Sequence, residues 1–274
     1  LFSKDSPPNG LKKELDIAIA LARQAGDIAQ RIRDKGYGVR EKKGGLGPVT
    51  EADEAASDLL VQKISQAFPD DLIVSEEEPL SHAPSLNNRI WFIDPIDGTK
   101  EFIAGRADWS VMLGLAINGI PCVGVVYQPD IEQLYYAIKG GGSFSCLAGK
   151  IQNLKVRSIS DPRDAVLIQS RSHGSVKVDQ IARECGISKT ISSGSVGVKL
   201  GMIAAGHADL YFNFSGHCHL WDLCGPEVIL QEAGGRILSA DGKKIRYNLD
   251  EMIFQQPFLA SNTALLAKLG CFLI

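Results

Sequence analysis

Two carboxylates flank a stiff turn in Asp94-Pro95-Ile96-Asp97-Gly98-Thr99, which follows the apolar run Ile90 to Ile93. Pro95 fixes its own φ and biases Asp94 towards an extended conformation, so both acids can face one point at a strand end. Gly98 lets backbone approach a ligand closely, and the amides after it can cradle an anion if a helix opens at Thr99. Carboxylates beside anion-binding amides need a cation between them, and hard oxygen donors select Mg²⁺ or Mn²⁺ over Zn²⁺. Taken alone, the hexapeptide also reads as an Asx-capped turn. Three further pieces carry acids at comparable places. Glu76-Glu77-Glu78 follows the short apolar run Leu72 to Ser75, Asp53 stands three residues after Thr50, and Trp221-Asp222 opens an apolar helical stretch. Each has a plain alternative, as a solvated acid at a strand end or as a first-turn acid favoured by a helix dipole.

These pieces give the charge distribution its meaning. The 274 residues hold 29 Lys+Arg against 32 Asp+Glu, a net charge of −3 that suggests neither a nucleic-acid polymer nor an acidic arm. Between Glu51 and Glu101, however, twelve acids face three bases, so this stretch carries −9 and the rest of the chain +6. Such a segment is either a solvated, self-repelling face or a cation site.

The elements that must position these residues follow from periodicity. Leu11, Leu15, Ala18, Ala22, Ala25, Ala29 and Ile32 recur at helical steps, ending at Gly36 and Gly38. Gly44 to Pro48 reads as a loop, and Thr50 with Asp53 resembles a capping box opening a second helix that Pro69 stops. Leu72 to Ser75 and Arg89 to Ile93 read as strands. From Trp109 an antiparallel meander is punctuated by Asn118-Gly119, Pro129-Asp130 and Gly140 to Gly142. Beyond about Ser158, strands (165–169, 190–192, 208–212, 236–238, 258–260) alternate with helices near 178–185, 195–205 and 221–233 and a final helix. The expected organisation is an α+β part over residues 1–157 and an α/β part over 158–274.

Taken together, Val49-Thr50-Glu51-Ala52-Asp53, the Glu76 cluster, the Asp94 hexapeptide, Trp221-Asp222 and Glu232-Ala233-Gly234-Gly235 resemble, in order and spacing, the signature of the inositol monophosphatase superfamily over about residues 13 to 262. Asp97-Gly98-Thr99-Lys100-Glu101-Phe102 looks like its 3′(2′),5′-bisphosphate nucleotidase branch, the bacterial phosphoadenosine phosphate phosphatases. Inositol phosphatases usually carry Thr-Asn at the Lys100-Glu101 positions. The resemblance implies a layered α-β-α-β-α sandwich and two or three Mg²⁺ ions. Glu76, Asp94 and the Ile96 carbonyl would hold one ion and Asp94, Asp97 and Asp222 a second, with Glu76 helping a weak third. It assigns Thr99, oriented by Asp53, to the attacking water, with Glu76 also catalytic, and the Gly98 and Thr99 amides to the phosphate. His173, Ser195, Lys199 and Asp222 are expected on the substrate, although Asn213 stands where many nucleotidases have arginine.

The function so implied is a Mg²⁺-dependent phosphomonoesterase converting 3′-phosphoadenosine 5′-phosphate to AMP and phosphate, sensitive to lithium. The alternative is an inositol monophosphatase or broad sugar phosphatase on the same scaffold. The expected partner is a small phosphorylated substrate, with no nucleic acid and no membrane, in a monomer or homodimer. Six scattered cysteines without CxxC spacing suggest a reducing cytoplasm. The longest apolar run, Val111 to Ile117, is about a third of the roughly 20 residues a spanning helix needs. His217-Cys218-His219 with Cys224 offers zinc-type ligands. Neighbours in an extended segment point to opposite faces, which argues against that site.

Overall fold

The computed structural model describes residues 10–41, 47–78, 88–172, 174–216 and 218–274. Helix α1 (Lys12–Lys35) is followed by a short antiparallel pair, β1 (Val39–Glu41) and β2 (Pro48–Thr50), and by α2 (Glu51–Ala67). Next come β3 (Leu72–Ser75), β4 (Arg89–Asp97) and the one-turn helix α3 (Thr99–Ile103). The meander is β5 (Ser110–Ile117), β6 (Ile120–Gln128), β7 (Gln133–Ile138), β8 (Gly142–Leu147) and β9 (Lys150–Asn153). It turns at Asn118-Gly119, both at positive φ, and through a 3₁₀ turn at Pro129–Ile131. Strands β3 to β9 form one seven-stranded sheet in sequence order, parallel only between β3 and β4.

The remaining chain gives β10 (Val166–Ser170), α4 (Val176–Glu184), β11 (Lys189–Ser193), α5 (Val196–Ala204), β12 (Leu210–Asn213), β13 (Cys218–His219), α6 (Leu220–Glu232), β14 (Gly235–Ser239), β15 (Ile253–Phe254), β16 (Phe258–Asn262) and α7 (Thr263–Leu269). A five-stranded sheet in the order β11-β10-β12-β16-β14 is parallel on its β11 side and antiparallel around β16.

Strand alternation sorts the layers. Trp91 and Ile93 of β4 point into a core with Leu15, Ala22 and Ala25 of α1 and Leu60 and Ile64 of α2. Ile90 and Phe92 point the other way, onto Leu200 and Ile203 of α5 and Leu220 and Leu223 of α6, which also meet Ile168, Tyr211 and Ala260 of the second sheet. On the outer face of that sheet Leu167, Leu210 and Leu259 pack with Val178 of α4 and Leu265 of α7. The result is an α-β-α-β-α sandwich with α5 and α6 as its middle layer. Contact between α6 and the large sheet is unusually close at Gly225. A Cβ there would stand 2.5 Å from the Leu113 carbonyl oxygen, and one on Gly124 would stand 2.1 Å from the Gly225 carbonyl oxygen.

Three features depart from the sequence expectation. Strand β4 runs on through Pro95 to Asp97, with a register shift against β5 between Asp94 and Asp97 that accommodates the proline. Pro48 belongs to β2 and not to a loop, because the preceding strand β1 supplies an antiparallel pairing partner, with Glu41 opposite Pro48. Pro129-Asp130 forms a 3₁₀ turn with Glu132 at φ 52° instead of a two-residue hairpin turn.

Candidate active site

The carboxyl end of β4 opens on a cleft of about 810 Å³ between the two sheets, lined by Glu76, Asp97, Gly98, Thr99, Lys199 and Asp222 among others. Asp94 is 2% exposed and accepts the Ile96 N–H at 3.0 Å, the Asx bond expected of an Asp-Pro-X turn. Gly98, at φ +97°, opens α3 in a conformation that disfavours any side chain. Asp53 is buried at the start of α2 and divides its two oxygens. Oδ2 accepts the Thr50 N–H at 2.8 Å and the Thr50 hydroxyl at 2.6 Å, completing the capping box, while Oδ1 lies 3.2 Å from Thr99 Oγ1. Thr99 Oγ1 is also 3.2 Å from the Ile96 carbonyl. Two distant elements of the sequence therefore meet on one hydroxyl.

Glu76 follows β3, its N–H donating to the Ile93 carbonyl at 3.1 Å, which places it beside the Asp94 turn as the parallel pairing of β3 with β4 requires. Asp222 is the third residue of α6 and accepts the His219 N–H at 2.8 Å. Asp97 accepts the Ser195 hydroxyl at 2.5 Å and the Gly197 N–H at 3.0 Å, so α5 grips it from the second sheet. Burial, and then the charge of Asp97 followed by that of Glu76, push the Asp222 carboxyl well above the ordinary carboxylate range. Burial likewise raises the Asp97 carboxyl, with Glu76 adding to the shift and Lys199, Ser195 and Gly197 opposing it. The Asp97 and Asp222 carboxyls are thus both raised by burial, with the charge of Glu76 adding to each, which is the electrostatics expected of oxygen donors that could take a cation. Among the described residues no three His, Cys, Asp or Glu side chains already form a metal cage. Asp97 is turned to α5 and Asp222 to the start of its own helix.

The expected substrate contacts are placed less simply. Ser195 is fully buried. Its hydroxyl serves Asp97, accepts the Val198 N–H at 3.0 Å as the cap of α5, and pairs with Ser110 at 2.9 Å, so it braces an acid instead of facing the cleft. Lys199 is 1% exposed at the floor of the cleft, and its ammonium donates to the carbonyls of Ser193 at 3.2 Å and Gly194 at 2.8 Å. Burial lowers its pKa, with Asp97 the strongest opposing charge. Asn213 donates to the Tyr211 hydroxyl at 3.0 Å, and its oxygen caps the turn at Ser215. His173 and His217 lie outside the described residues. Cys224 is buried against Gly114 of β5, and the Cys218 thiol lies 3.5 Å from Asp222.

Sequence reasoning passed over Asp108 and the bonds that tie it and Glu101 across the cleft. Asp108 accepts Arg171 at 2.9 Å and the Gly194 N–H at 2.9 Å, and Glu101 accepts the Ser172 hydroxyl at 2.5 Å. These bonds join the segment after β4 to the rim of the second sheet, a pairing that no local pattern signals.

The profile of the Inositol monophosphatase family matches residues 11–271. This chain is a member of the inositol monophosphatase family. Among its relatives in that family, the 3′(2′),5′-bisphosphate nucleotidase CysQ of Salmonella typhimurium is 32% identical over 89% of this chain and 98% of that protein. The histidinol-phosphatase of Mycobacterium tuberculosis is 31% identical over 84% and 88%, and inositol monophosphatase 3 of Solanum lycopersicum 33% over 84% and 87%. Among solved members, the Thermotoga maritima inositol monophosphatase superimposes with a TM-score of 0.80 at 26% identity over 95% of this chain and 96% of that one. The extragenic suppressor protein suhB of Bartonella henselae gives 0.82 at 22% identity over 96% and 98%. The sandwich is thus the fold of the family, and phosphatase chemistry on small phosphorylated substrates is the family's activity.

Proposed function

We propose that this phosphatase is Mg²⁺-dependent and hydrolyses 3′-phosphoadenosine 5′-phosphate to AMP and phosphate. The observation that carries the phosphatase site is the meeting of the Asp53–Thr99 pair with Glu76, Asp97 and Asp222 in one cleft. An all-oxygen donor set in which burial raises the Asp97 and Asp222 carboxyls fits a hard divalent cation. Glu76, Asp94, the Ile96 carbonyl, Asp97 and Asp222 would hold it. Bound there, Mg²⁺ supplies the positive charge that phosphate oxygens and a leaving alkoxide require, and lowers the pKa of water.

The chain's own groups do the rest. Asp53 Oδ1 accepts the Thr99 proton, which leaves Thr99 Oγ1 lone pairs to orient the attacking water. The Gly98 and Thr99 backbone N–H groups would bind the phosphate, and the αL conformation of Gly98 favours a residue without a side chain there. Ser195 and Gly197 both hold Oδ2 of Asp97, which orients the acid at the edge of the cleft.

The nucleotide assignment rests on the Asp97 to Phe102 sequence and on similarity to CysQ proteins. One observation favours a second reading, an inositol or sugar monophosphatase. Lys199 spends N–H groups on two carbonyls and Asn213 carries no charge, so neither position presents a ready cation to a second phosphate. Phosphate release by the purified protein, with and without Mg²⁺, from phosphoadenosine phosphate, inositol 1-phosphate, histidinol phosphate and fructose 1,6-bisphosphate tests both. Release from none would remove the enzyme reading, and preference for a monophosphate ester would replace the nucleotidase.

A further inference from the structure

Asp130 sits in the turn between β6 and β7, where the sequence signals only a change of direction. Its carboxylate is the centre of a hub behind the catalytic turn. Oδ1 accepts Gln30 at 2.9 Å and one Arg33 nitrogen at 2.5 Å, while Oδ2 accepts the other Arg33 nitrogen and the Trp109 indole N–H, each at 2.9 Å. Gln30 and Arg33 are three residues apart on α1 and so share a face. Burial alone would push the Asp130 carboxyl up, but Arg33, Gln30 and Trp109 more than offset it and hold the group below its ordinary value.

The same guanidinium lies 5.3 Å from the Phe102 ring and 5.7 Å from the Trp109 ring, and those rings meet edge to face at 5.0 Å. Both rings are fully buried. The Phe102 N–H donates to the Gly98 carbonyl at 2.9 Å, and Trp109 Cα and Cβ stand 3.4 Å from where a Gly98 Cβ would be. Phe102 and Trp109 are therefore the back wall of the Gly98–Thr99 turn. The residues flanking Trp109 reach the other side of the site. The Asp108 carbonyl accepts the Ser195 N–H at 3.2 Å and the Ser110 hydroxyl pairs with Ser195, which in turn holds Asp97.

We propose that Asp130 is a positioning residue for phosphate hydrolysis, fixing Trp109 directly and Phe102 through Arg33 so that Gly98, Thr99 and Asp97 keep their working geometry. The inference rests on the roles given above to those three residues. Without its acceptor the buried indole N–H is left unpaired, and the ring is driven to shift towards another partner. A displacement of about 1 Å at a reacting group costs on the order of 100-fold in rate.

The test compares the full chain with Trp109→Phe and Asp130→Ala, using the phosphate ester that the wild type hydrolyses fastest and amide hydrogen exchange across residues 96–104. Both variants are expected to lose about 10- to 100-fold in kcat with KM within about threefold of wild type. Exchange across 96–104 is expected to speed up about tenfold or more while that of α2 stays unchanged. A role in stability alone would lower Tm and leave kcat of the folded protein intact. Unchanged kcat in Trp109→Phe overturns the proposal, and so does unchanged exchange. Should Asp130→Ala fail to fold, Trp109→Phe, which keeps a ring in the wall, decides by itself. If the wild type releases no phosphate, the functional reading has failed, and the exchange comparison still decides whether the hub holds the turn.

Discussion

At the Arg89 end of β4, Asp71 and Glu14 share one guanidinium. Arg89 reaches Asp71 at 2.7 and 3.1 Å and Glu14 at 2.8 Å, and the Trp91 indole adds a fourth bond to Asp71 at 2.9 Å. At the Asp97 end of the same strand, 8 residues along, Asp94, Asp97 and Asp222 receive bonds from amides and a hydroxyl, and burial raises the Asp97 and Asp222 carboxyls with the charge of Glu76 adding to both shifts. Acids at the first end share a cation supplied by the protein itself and serve the fold. Under the proposed function, the acids at the second end are those whose charge a bound cation would offset.

Asp94→Asn should break the second end most completely. It keeps the shape and removes a charge expected to serve two metals, so kcat/KM should fall by about 1,000-fold or more while far-UV circular dichroism and Tm hold. Near wild-type turnover would move the metal site away from the hexapeptide. Thr99→Ala should cost about 100-fold in kcat at unchanged fold, because the water loses its orienting hydroxyl. A loss confined to KM would instead make Thr99 a binding group.

Arg89→Leu should show the opposite pattern. It strands two partly buried carboxylates and should lower stability by about 4 kcal/mol in urea titration, while turnover per folded molecule stays within about twofold. A folded variant with lost activity would couple the two ends and dissolve the contrast.

Glu227 on α6 is a third kind of carboxylate, held only by neutral donors. Tyr247 and Gln231 bond it, and burial, opposed by those bonds and by Lys244, raises its pKa from 4.5 to about 7. The folded state therefore binds the proton more tightly than the unfolded chain. The stability this contributes is full below pH 4.5 and is lost as pH rises through about 7, with a ceiling near ~3 kcal/mol. Glu227→Gln should flatten the fall of Tm between pH 5 and 8. A wild type whose Tm does not fall across that range would mean the carboxylate is better solvated than its burial indicates.

Legibility follows the same division. Asp94, Asp97 and Gly98 declare themselves because proline, glycine and strand end act within six residues, and α2 was readable from Thr50 and Asp53 because a capping box is local. Asp222 was reachable only through family resemblance, since a first-turn acid is ordinary by itself. The family resemblance puts Ser195 and Lys199 on the substrate, where a hydroxyl before a helix and an ammonium suit phosphate. Their actual partners are Asp97, two carbonyls and the cap of α5, which depend on how the second sheet docks. The Arg33–Asp130 pairing spans 97 residues and leaves no trace in any window of sequence.

The seam at Gly225 bears on all of this. Helix α6 delivers Asp222, and its distance from the sheet whose strand β4 delivers Asp94 and Asp97 is limited at Gly225, which meets Gly114 of β5 and Gly124 of β6. Peptide planes do not change rotamer, and their thickness is the same whatever side chains surround them. The spacing of the acids is therefore gauged by a feature that core substitutions elsewhere leave untouched, whereas a single methyl group added at that seam would wedge the two halves of the site apart.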